Sequence, residues 1–559
     1  MRIRTLTLLA GAVLAGLAHA GPDDDAKFES DGTTLNQIPP IQDPAGFADF
    51  PTNIDLDTGL RIMPPTESTL FTGQRFDLRV ETQIPAASES PELISLTVNG
   101  MDVTDEFLDT VALQDAADTT GNESGKTISD LLYGNTARNL TFAQAGTYLV
   151  EARVLVDGVV REVANVYRVA RFNSSNRTNR VVFFLGDAMG QPMRTAARIY
   201  SKGIFEGRAQ GKLNYDEADE IALIQTASFD SIITDSAPGM ANYITGVKQP
   251  NNALNVSADN TPENGLDNPR VETLMEYVKR TRGWAIGVVS DAYITDATPG
   301  SSNAHVRSRS ARDTIAQQFI GYFADGTAQD ASGFESLVEL NQPLDVILGG
   351  GARYWVKNSN TDLDEFWQEG SSGRSDAEGD LFVDVAPSLG YQTVRTLAEM
   401  NAASTDEPLL GIFGGDGRAA QNALDDRNIP AALDRLVARG AVTINGKDAS
   451  DPALGLSGAP KGRTDCRDTV QACFNQIPNK SEMVAKAIET PEGISDGRGW
   501  FLLVEQSHID KLSHPLELER AIYEVIEMDN ALGVARDMVP ENRSLIVVTA
   551  DHAQPQSII

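Results

Sequence analysis

The chain has 559 residues, more than one hydrophobic core usually organises, so at least two domains are expected. Its 79 acidic residues outnumber its 46 basic residues and give a formal net charge of −33. This balance argues against nucleic acid or an anionic membrane as a partner, because a phosphate backbone needs a basic surface.

The first residues, 1–20, have the pattern of a secretory signal peptide. Arg2 and Arg4 precede the apolar run 6–17, and Ala18-His19-Ala20 is typical of a cleavage site. The run is too short to span a bilayer, which disfavours a membrane anchor, and no later apolar run is long enough. We therefore expect export to the periplasm or the medium and no membrane span.

Residues 21–172 are predicted to form two different segments. Residues 21–67 are rich in Asp, Pro and Gly, so an irregular acidic segment is expected there. From 68 to 172 apolar and polar residues alternate, as in Phe76, Leu78 and Val80, and Asp157-Gly158 separates two longer runs as in a β-hairpin. This pattern predicts a small antiparallel β-sandwich, which resembles the immunoglobulin-like modules of exported bacterial proteins. It holds no cluster of catalytic residue types, so we expect a spacer or docking role.

Residues 173–559 alternate short apolar runs with longer helical stretches. This order predicts an α/β domain with three layers, in which helices cover both faces of a parallel sheet. The predicted strands are Val181 to Leu185, Ala285 to Val289, Val346 to Leu348, Phe501 to Val504 and Leu545 to Val548. A helix is predicted from Pro515 to Met538 because apolar residues recur there at helical spacing. Ligands of such sheets bind beyond the carboxyl ends of the strands.

Potential metal ligands follow the predicted strands. They are Asp187, Glu505, Asp510, His514, Asp551 and His552. A single Asp at a strand end often only caps the next helix, and a single His is often structural, but the whole set points to a site. Mixtures of histidine and carboxylate suit Zn²⁺, whereas oxygen ligands alone suit Mg²⁺.

Ser236 is a candidate nucleophile. The sequence Thr234-Asp235-Ser236-Ala237-Pro238 precedes a predicted short helix that ends at Thr245. Its hydroxyl would then lie at a helix N-terminus, where free N–H groups favour an anion. The alternative is that Asp235 or Ser236 only caps this helix.

Two further features remain ambiguous when taken alone. The segment from Asp296 to Arg309 contains arginines that could hold phosphate oxygens, but it could also be a solvated charged patch. Cys466 and Cys473 lie in a polar loop, where they could form a disulfide after export or remain two free thiols.

Five motifs together resemble those of alkaline phosphatases, and they occur in the order typical of that family. They are Gly186-Asp187-Ala188-Met189-Gly190, Thr234-Asp235-Ser236-Ala237, Asp296-Ala297-Thr298-Pro299, Val504-Glu505 with Asp510 and His514, and Thr549-Ala550-Asp551-His552. The resemblance extends from about Arg180 to Ile559. Two departures are small, namely Ala188 where the family usually has Gly and Gln554 where some members have His.

The resemblance implies two Zn²⁺ ions and one Mg²⁺ ion. Asp510 and His514 would bind the first zinc, Asp187, Asp551 and His552 the second, and Asp187, Thr298 and Glu505 the magnesium. It also implies that Ser236 is the nucleophile and that Arg309 holds the phosphate. Asp296 and Lys511 would tune the affinity for metal and phosphate.

The resemblance implies hydrolysis of phosphate monoesters through a phosphoserine intermediate. Alternatives are a phosphodiesterase or sulfatase of the same superfamily, or a non-catalytic protein that binds metal or phosphate. Arg309 favours a monoester, and sulfatases use a modified Cys or Ser in a different motif. Family members are often dimers, so a homodimer is expected.

The chain stops soon after His552, whereas family members continue to a late histidine that completes the first zinc site. Neither His305 nor His508 aligns with a ligand position, so we expect this sequence to be truncated.

Overall fold

The computed structural model describes residues 34–40, 54–55, 59–85, 89–107, 111–112, 130–172, 178–257, 268–323, 331–357, 379–413, 429–443 and 475–554. The predicted fold class is confirmed, since a parallel sheet covered by helices follows a small β-sandwich. The predicted signal peptide, Cys466 and Cys473 lie outside the described residues. No described helix is both long and apolar enough to cross a membrane.

The β-sandwich consists of two five-stranded sheets. Its strands are β1 (Ile54–Asp55), β2 (Leu60–Met63), β3 (Thr69–Phe71), β4 (Phe76–Pro85), β5 (Glu92–Val98), β6 (Met101–Asp102), β7 (Val111–Ala112), β8 (Asp130–Leu140), β9 (Gly146–Val156) and β10 (Val159–Ala170). The strand orders are β1-β2-β4-β8-β7 and β3-β10-β9-β5-β6, and every pairing is antiparallel except that of β3 with β10. The predicted hairpin about Asp157-Gly158 joins β9 to β10. Strands β1 and β2 lie in the segment 21–67, so the sandwich begins before the predicted boundary at 68.

The second part is built on a seven-stranded parallel sheet of order β16-β17-β15-β14-β18-β11-β19. Its strands are β11 (Arg180–Gly186), β14 (Ala285–Tyr293), β15 (Val346–Gly350), β16 (Gln392–Val394), β17 (Leu409–Ile412), β18 (Trp500–Gln506) and β19 (Ser544–Thr549), and β12 (Ile204–Phe205) pairs separately with β13 (Arg208–Ala209). All five predicted strands are present and extend at one or both ends. Strands β16 and β17 were not predicted, since they have only three and four residues.

Helices cover both faces of this sheet. They are α1 (Gln191–Lys202), α2 (Ser236–Thr245), α3 (Leu274–Arg282), α4 (Ala297–Gly300), α5 (Arg312–Phe319), α6 (Ala331–Leu340), α7 (Ala386–Ser388), α8 (Leu397–Ala402), α9 (Ala432–Ala438), α10 (Lys480–Ile494), α11 (His508–Ser513) and α12 (Leu518–Met538). The helix predicted from Pro515 is α12. Alternate residues of β11 enter two hydrophobic cores, with Phe183 on one face and Phe184 on the other. The strand is therefore buried on both sides, as its continuous apolar run predicts.

The sandwich contacts the C-terminal end of α2. The backbone N–H of Thr69 donates to Gly246 O at 3.0 Å, and Gln74 Nε2 donates to Thr245 O at 3.1 Å and Glu272 O at 2.7 Å. The hydrophobic cores also interleave. Val247 and Val271 belong to the core of the sandwich, while Phe71 and Phe172 belong to the core of the parallel-sheet part.

Candidate active site

The predicted site residues gather at one edge of the parallel sheet. Asp187 follows β11, Glu505 is the second-last residue of β18, and Asp551 follows β19. These strands are neighbours and parallel, so their carboxyl ends meet at the same edge. Residues that are far apart in the sequence therefore lie close together in the fold.

Ser236 is the first residue of α2 and is buried. The helix is capped by Asp235, whose carboxylate accepts the N–H of Ala237 at 2.6 Å. Ser236 itself caps nothing. Its hydroxyl donates to Asp187 Oδ2 at 3.2 Å and lies 3.4 Å from His552 Nε2.

Asp187, Asp510 and His552 each offer a ligand atom, and these atoms lie within 4.8 Å of one another. His552 Nε2 is 3.2 Å from Asp187 Oδ1 and 3.6 Å from Asp551 Oδ2. Asp551 Oδ1 accepts the backbone N–H of Ala188 at 3.1 Å, whereas Asp551 Oδ2 is buried and has no hydrogen-bond partner among the described residues. Three carboxylates and an imidazole therefore converge on one small volume.

The pKa values in this cluster are shifted because its charged groups are buried close together. Burial, together with the charges of Asp551 and Asp510, raises the pKa of Asp187 to about 8. Burial alone would lower the pKa of His552, but the hydrogen bond to Asp187 and the charge of Asp551 raise it to about 10. Bound cations would favour the ionised carboxylates.

Ala188, noted above as a departure from the glycine that the resemblance implies, has a φ of +57°. This left-handed conformation costs a residue with a Cβ about 1–2 kcal/mol. The turn nevertheless directs the N–H of Ala188 to Asp551. Ala188 therefore adopts the left-handed backbone conformation that glycine would favour at this position.

Asp510 and His514 lie on the more open side of the site. Asp510 Oδ2 is 3.2 Å from His514 Nε2, and the His514 side chain is 68% exposed. Gln554 Nε2 donates to Asp510 Oδ1 at 2.7 Å and lies 3.5 Å from His514 Nε2. Sequence reasoning noted Gln554 only as a departure, although its place two residues after His552 was an available signal.

Glu505 and Thr298 supply buried oxygens. Glu505 accepts a hydrogen bond from Ser290 Oγ. Burial and the charges of Asp187 and Asp296 raise its pKa to about 8. Thr298 Oγ1, on α4, is buried and has no hydrogen-bond partner in the part of the chain that the structure describes, and α4 packs against β18. An oxygen-preferring cation would suit this pair.

A charged network orients Arg309. Arg309 Nη2 donates to Asp296 Oδ1 at 2.9 Å, and Nη1 donates to Asp235 Oδ1 at 3.3 Å. Lys511 Nζ donates to Asp296 Oδ2 at 2.7 Å. Burial would raise the pKa of Asp296, but Lys511 and Arg309 hold it well below its usual range. Asp235 therefore links the guanidinium to the first turn of the helix that carries Ser236.

The remaining two described histidines lie apart from this cluster. His305 is buried beside Glu276, with Nε2 at 3.0 Å from Oε2. His508 forms a second group with Asp291 and Glu524 whose spacing would also allow a metal. Their carboxylate oxygens, however, already accept N–H groups of the protein, including Gln506 Nε2 at 2.8 Å from Asp291 and 2.6 Å from Glu524. We therefore assign this group to a buried polar network.

A family model described as alkaline phosphatase matches residues 178–558. The chain is 30% identical over 395 residues to the alkaline phosphatase of Escherichia coli strain K12, covering 69% of this chain and 72% of that protein. It is 29% identical over 385 residues to streptomycin-6-phosphate phosphatase of Streptomyces griseus, covering 68% and 74%.

Among solved structures, the chain is similar to the alkaline phosphatase of Thermus thermophilus, with 22% identity and a TM-score of 0.46. That match covers 67% of this chain and 60% of the other. The range of the family model leaves the β-sandwich outside the matched residues.

Proposed function

Since the chain belongs to the alkaline phosphatase family, and is by that membership a phosphomonoesterase, we propose that it acts through a phosphoserine formed on Ser236. The observation that carries this proposal is the position of the Ser236 hydroxyl. It lies at a helix N-terminus, between Asp187 and His552, and is not used as a cap.

The proposal includes two Zn²⁺ ions and one Mg²⁺ ion. The donor set fits the second zinc and the magnesium, whereas Asp510 and His514 supply two ligands of the first zinc. Asp551 Oδ2 and Thr298 Oγ1 are buried oxygens that have no hydrogen-bond partner within the described ranges. Burial and neighbouring charges raise the pKa of Asp187 and of Glu505 to about 8, so both resist ionisation while no cation is bound. Asp510 and His514 would hold one zinc, Asp187, Asp551 and His552 the other, and Asp187, Thr298 and Glu505 the magnesium. When bound, such ions lower the pKa of a hydroxyl and stabilise charge on phosphate oxygens.

In the proposed reaction Ser236 Oγ attacks phosphorus, and the ester oxygen leaves with the alcohol. The Ser236 hydroxyl, which donates to Asp187 Oδ2 in the metal-free protein, loses its proton to solvent, and the leaving ester oxygen takes up a proton to become the alcohol. Arg309, held by Asp296 and Asp235, would present its remaining N–H groups to the phosphate oxygens. Water then attacks the phosphoserine, which releases inorganic phosphate and restores the hydroxyl.

The first test is hydrolysis of an aryl phosphate monoester at alkaline pH, with and without added zinc, beside the diester analogue. We expect zinc-dependent monoester turnover that disappears in Ser236→Ala. Ser231→Ala, in the loop before α2, is a matched control expected to retain activity. Preferential diester turnover would favour the phosphodiesterase alternative, and metal binding without turnover would favour a binding protein.

Three finer features stay predictions from the sequence. They are export directed by residues 1–20, a disulfide between Cys466 and Cys473, and a homodimer.

A further inference from the structure

Three proposed metal ligands lie on one short stretch of chain, residues 505–514, which we call the ligand segment. It contains the end of β18 with Glu505, a turn at Ser507, and α11 with Asp510, followed by His514. Its conformation therefore sets the positions of ligands for two proposed ions. The groups that hold this segment in place come from other elements.

Asp291, on the neighbouring strand β14, contacts successive residues of the ligand segment. Its Oδ1 accepts the backbone N–H of Ser507 at 2.7 Å, and its Oδ2 accepts Gln506 Nε2 at 2.8 Å. The same Oδ2 lies 2.7 Å from His508 Nδ1. One carboxylate thus contacts the turn and the first residue of α11.

Lys480 extends this contact to Glu505. It is the first residue of α10 and is fully buried, and its Nζ donates to Glu505 O while lying 3.4 Å from Asp291 Oδ1. Ser290, which precedes Asp291, donates through its hydroxyl to the carboxylate of Glu505. Adjacent residues of β14 therefore hold the Glu505 side chain and the backbone that follows it.

The electrostatics of the site support an ionised Asp291. Burial would raise its pKa, but Lys480 and His508 hold that pKa well below its usual range. Replacing the carboxylate would leave the buried Lys480 ammonium with less compensation and weaken acceptance of the Ser507 N–H. Because an uncompensated buried charge is costly, the segment would shift to find new partners.

We propose that Asp291, acting with Lys480, is a positioning residue that fixes the ligand segment for metal binding. It touches neither substrate nor the proposed ions, and it acts through Glu505, Asp510 and His514. The inference rests on the proposed metal-dependent function.

The test compares Asp291→Asn with Asp345→Asn in the full chain. Asp345 is a matched control because its carboxylate also accepts a lysine, Lys279 Nζ at 2.9 Å, and a backbone N–H, that of Ile286 at 2.8 Å. It contacts the opposite end of β14, away from the ligand segment. Mg²⁺ binding to the zinc-loaded protein is measured by titration calorimetry, and bound metal is counted by mass spectrometry after dialysis.

We expect Asp291→Asn to bind Mg²⁺ about 10- to 100-fold more weakly, as is typical when partners of metal ligands are lost. Asp345→Asn should bind it like the wild type, even where thermal unfolding shows lost stability. If Asp291→Asn does not fold, Lys480→Met tests the same connection. Wild-type Mg²⁺ affinity in the folded variant would overturn the inference. A wild-type protein that binds metal but turns over no monoester would instead overturn the proposed function.

Discussion

The hydroxyl of Ser236 is available because the residue before it takes the capping role. Asp235 accepts the Ala237 N–H and also the N–H of Asn252 at 2.6 Å, so it joins α2 to a second loop. The sequence left open which of the two residues caps the helix. The structure gives that role to Asp235 and leaves the Ser236 hydroxyl facing Asp187.

Arg309→Ala should lower kcat/KM for a phosphate monoester by about 10- to 100-fold, since hydrogen bonds to charged groups contribute about 1.5–3 kcal/mol. The control is Arg307→Ala, in the same segment, for which we expect a smaller effect. Steady-state kinetics of both variants test the assignment. Equal losses would show that Arg309 has no special part in holding phosphate.

Gly239→Ala should reduce activity, although alanine ordinarily favours a helix by about 1 kcal/mol. A Cβ at Gly239 would lie 2.6 Å from Asp551 Cβ, so α2 would have to move away from the ligand cluster. Misplacement of this kind can cost about 100-fold in kcat. In the control Gly533→Ala the nearest atom, at 3.0 Å, is the end of the Asn214 side chain. Undiminished kcat in Gly239→Ala would contradict the close packing.

At the scale of elements, the sequence predicted the long strands from their apolar patterns. It did not predict the short strands or the contacts between residues that are remote in sequence. Apolar runs identified the long strands and the residues that follow them, because burial on both faces leaves a continuous apolar pattern. The short strands β16 and β17 carry too few residues for a pattern. Asp291 and Gln74 were missed because their partners are remote in sequence, although a carboxylate inside an apolar strand is itself a signal. Ligand roles of the site residues stay predictions.

Gln74→Leu should lower the free energy of unfolding by about 2–4 kcal/mol, because Thr245 O and Glu272 O each lose a buried donor. Gln144→Leu, on the exposed surface of the sandwich, is the control and should change little. Chemical denaturation of both variants provides the measurement. Equal stability would show that this connection between the sandwich and α2 contributes nothing.

At the scale of the whole molecule, the free energy of unfolding between about pH 5 and pH 8 should depend on pH more strongly where metal is absent. In the metal-free protein the pKa values of Asp187 and Glu505 are raised to about 8. A raised pKa means that the folded state holds its protons more tightly, so its contribution to stability is full below about pH 4 and is lost as pH rises towards 8. The pKa values of Asp291 and Asp296 are lowered, so the stability that these residues contribute is lost only in more acidic solution.

We therefore expect the unfolding free energy of the metal-free protein to fall between about pH 5 and pH 8, and that of the metal-loaded protein to fall less. Denaturation curves at several pH values, with chelator or with zinc and magnesium, test this. The same pH dependence in both forms would contradict the assignment of these carboxylates to metal.

The interleaving of the two hydrophobic cores has a consequence for folding during synthesis. Synthesis proceeds from the N-terminus, so the sandwich strands leave the ribosome before Val247 and Val271, which complete their core. The core of the sandwich therefore stays incompletely packed until Val247 and Val271 have been synthesised. A gene fusion that carried residues 34–172 alone would lack Val247 and Val271 and so leave two gaps in the core of the sandwich. Recombination at the apparent domain boundary would likewise remove Phe71 and Phe172 from the core of the parallel-sheet part.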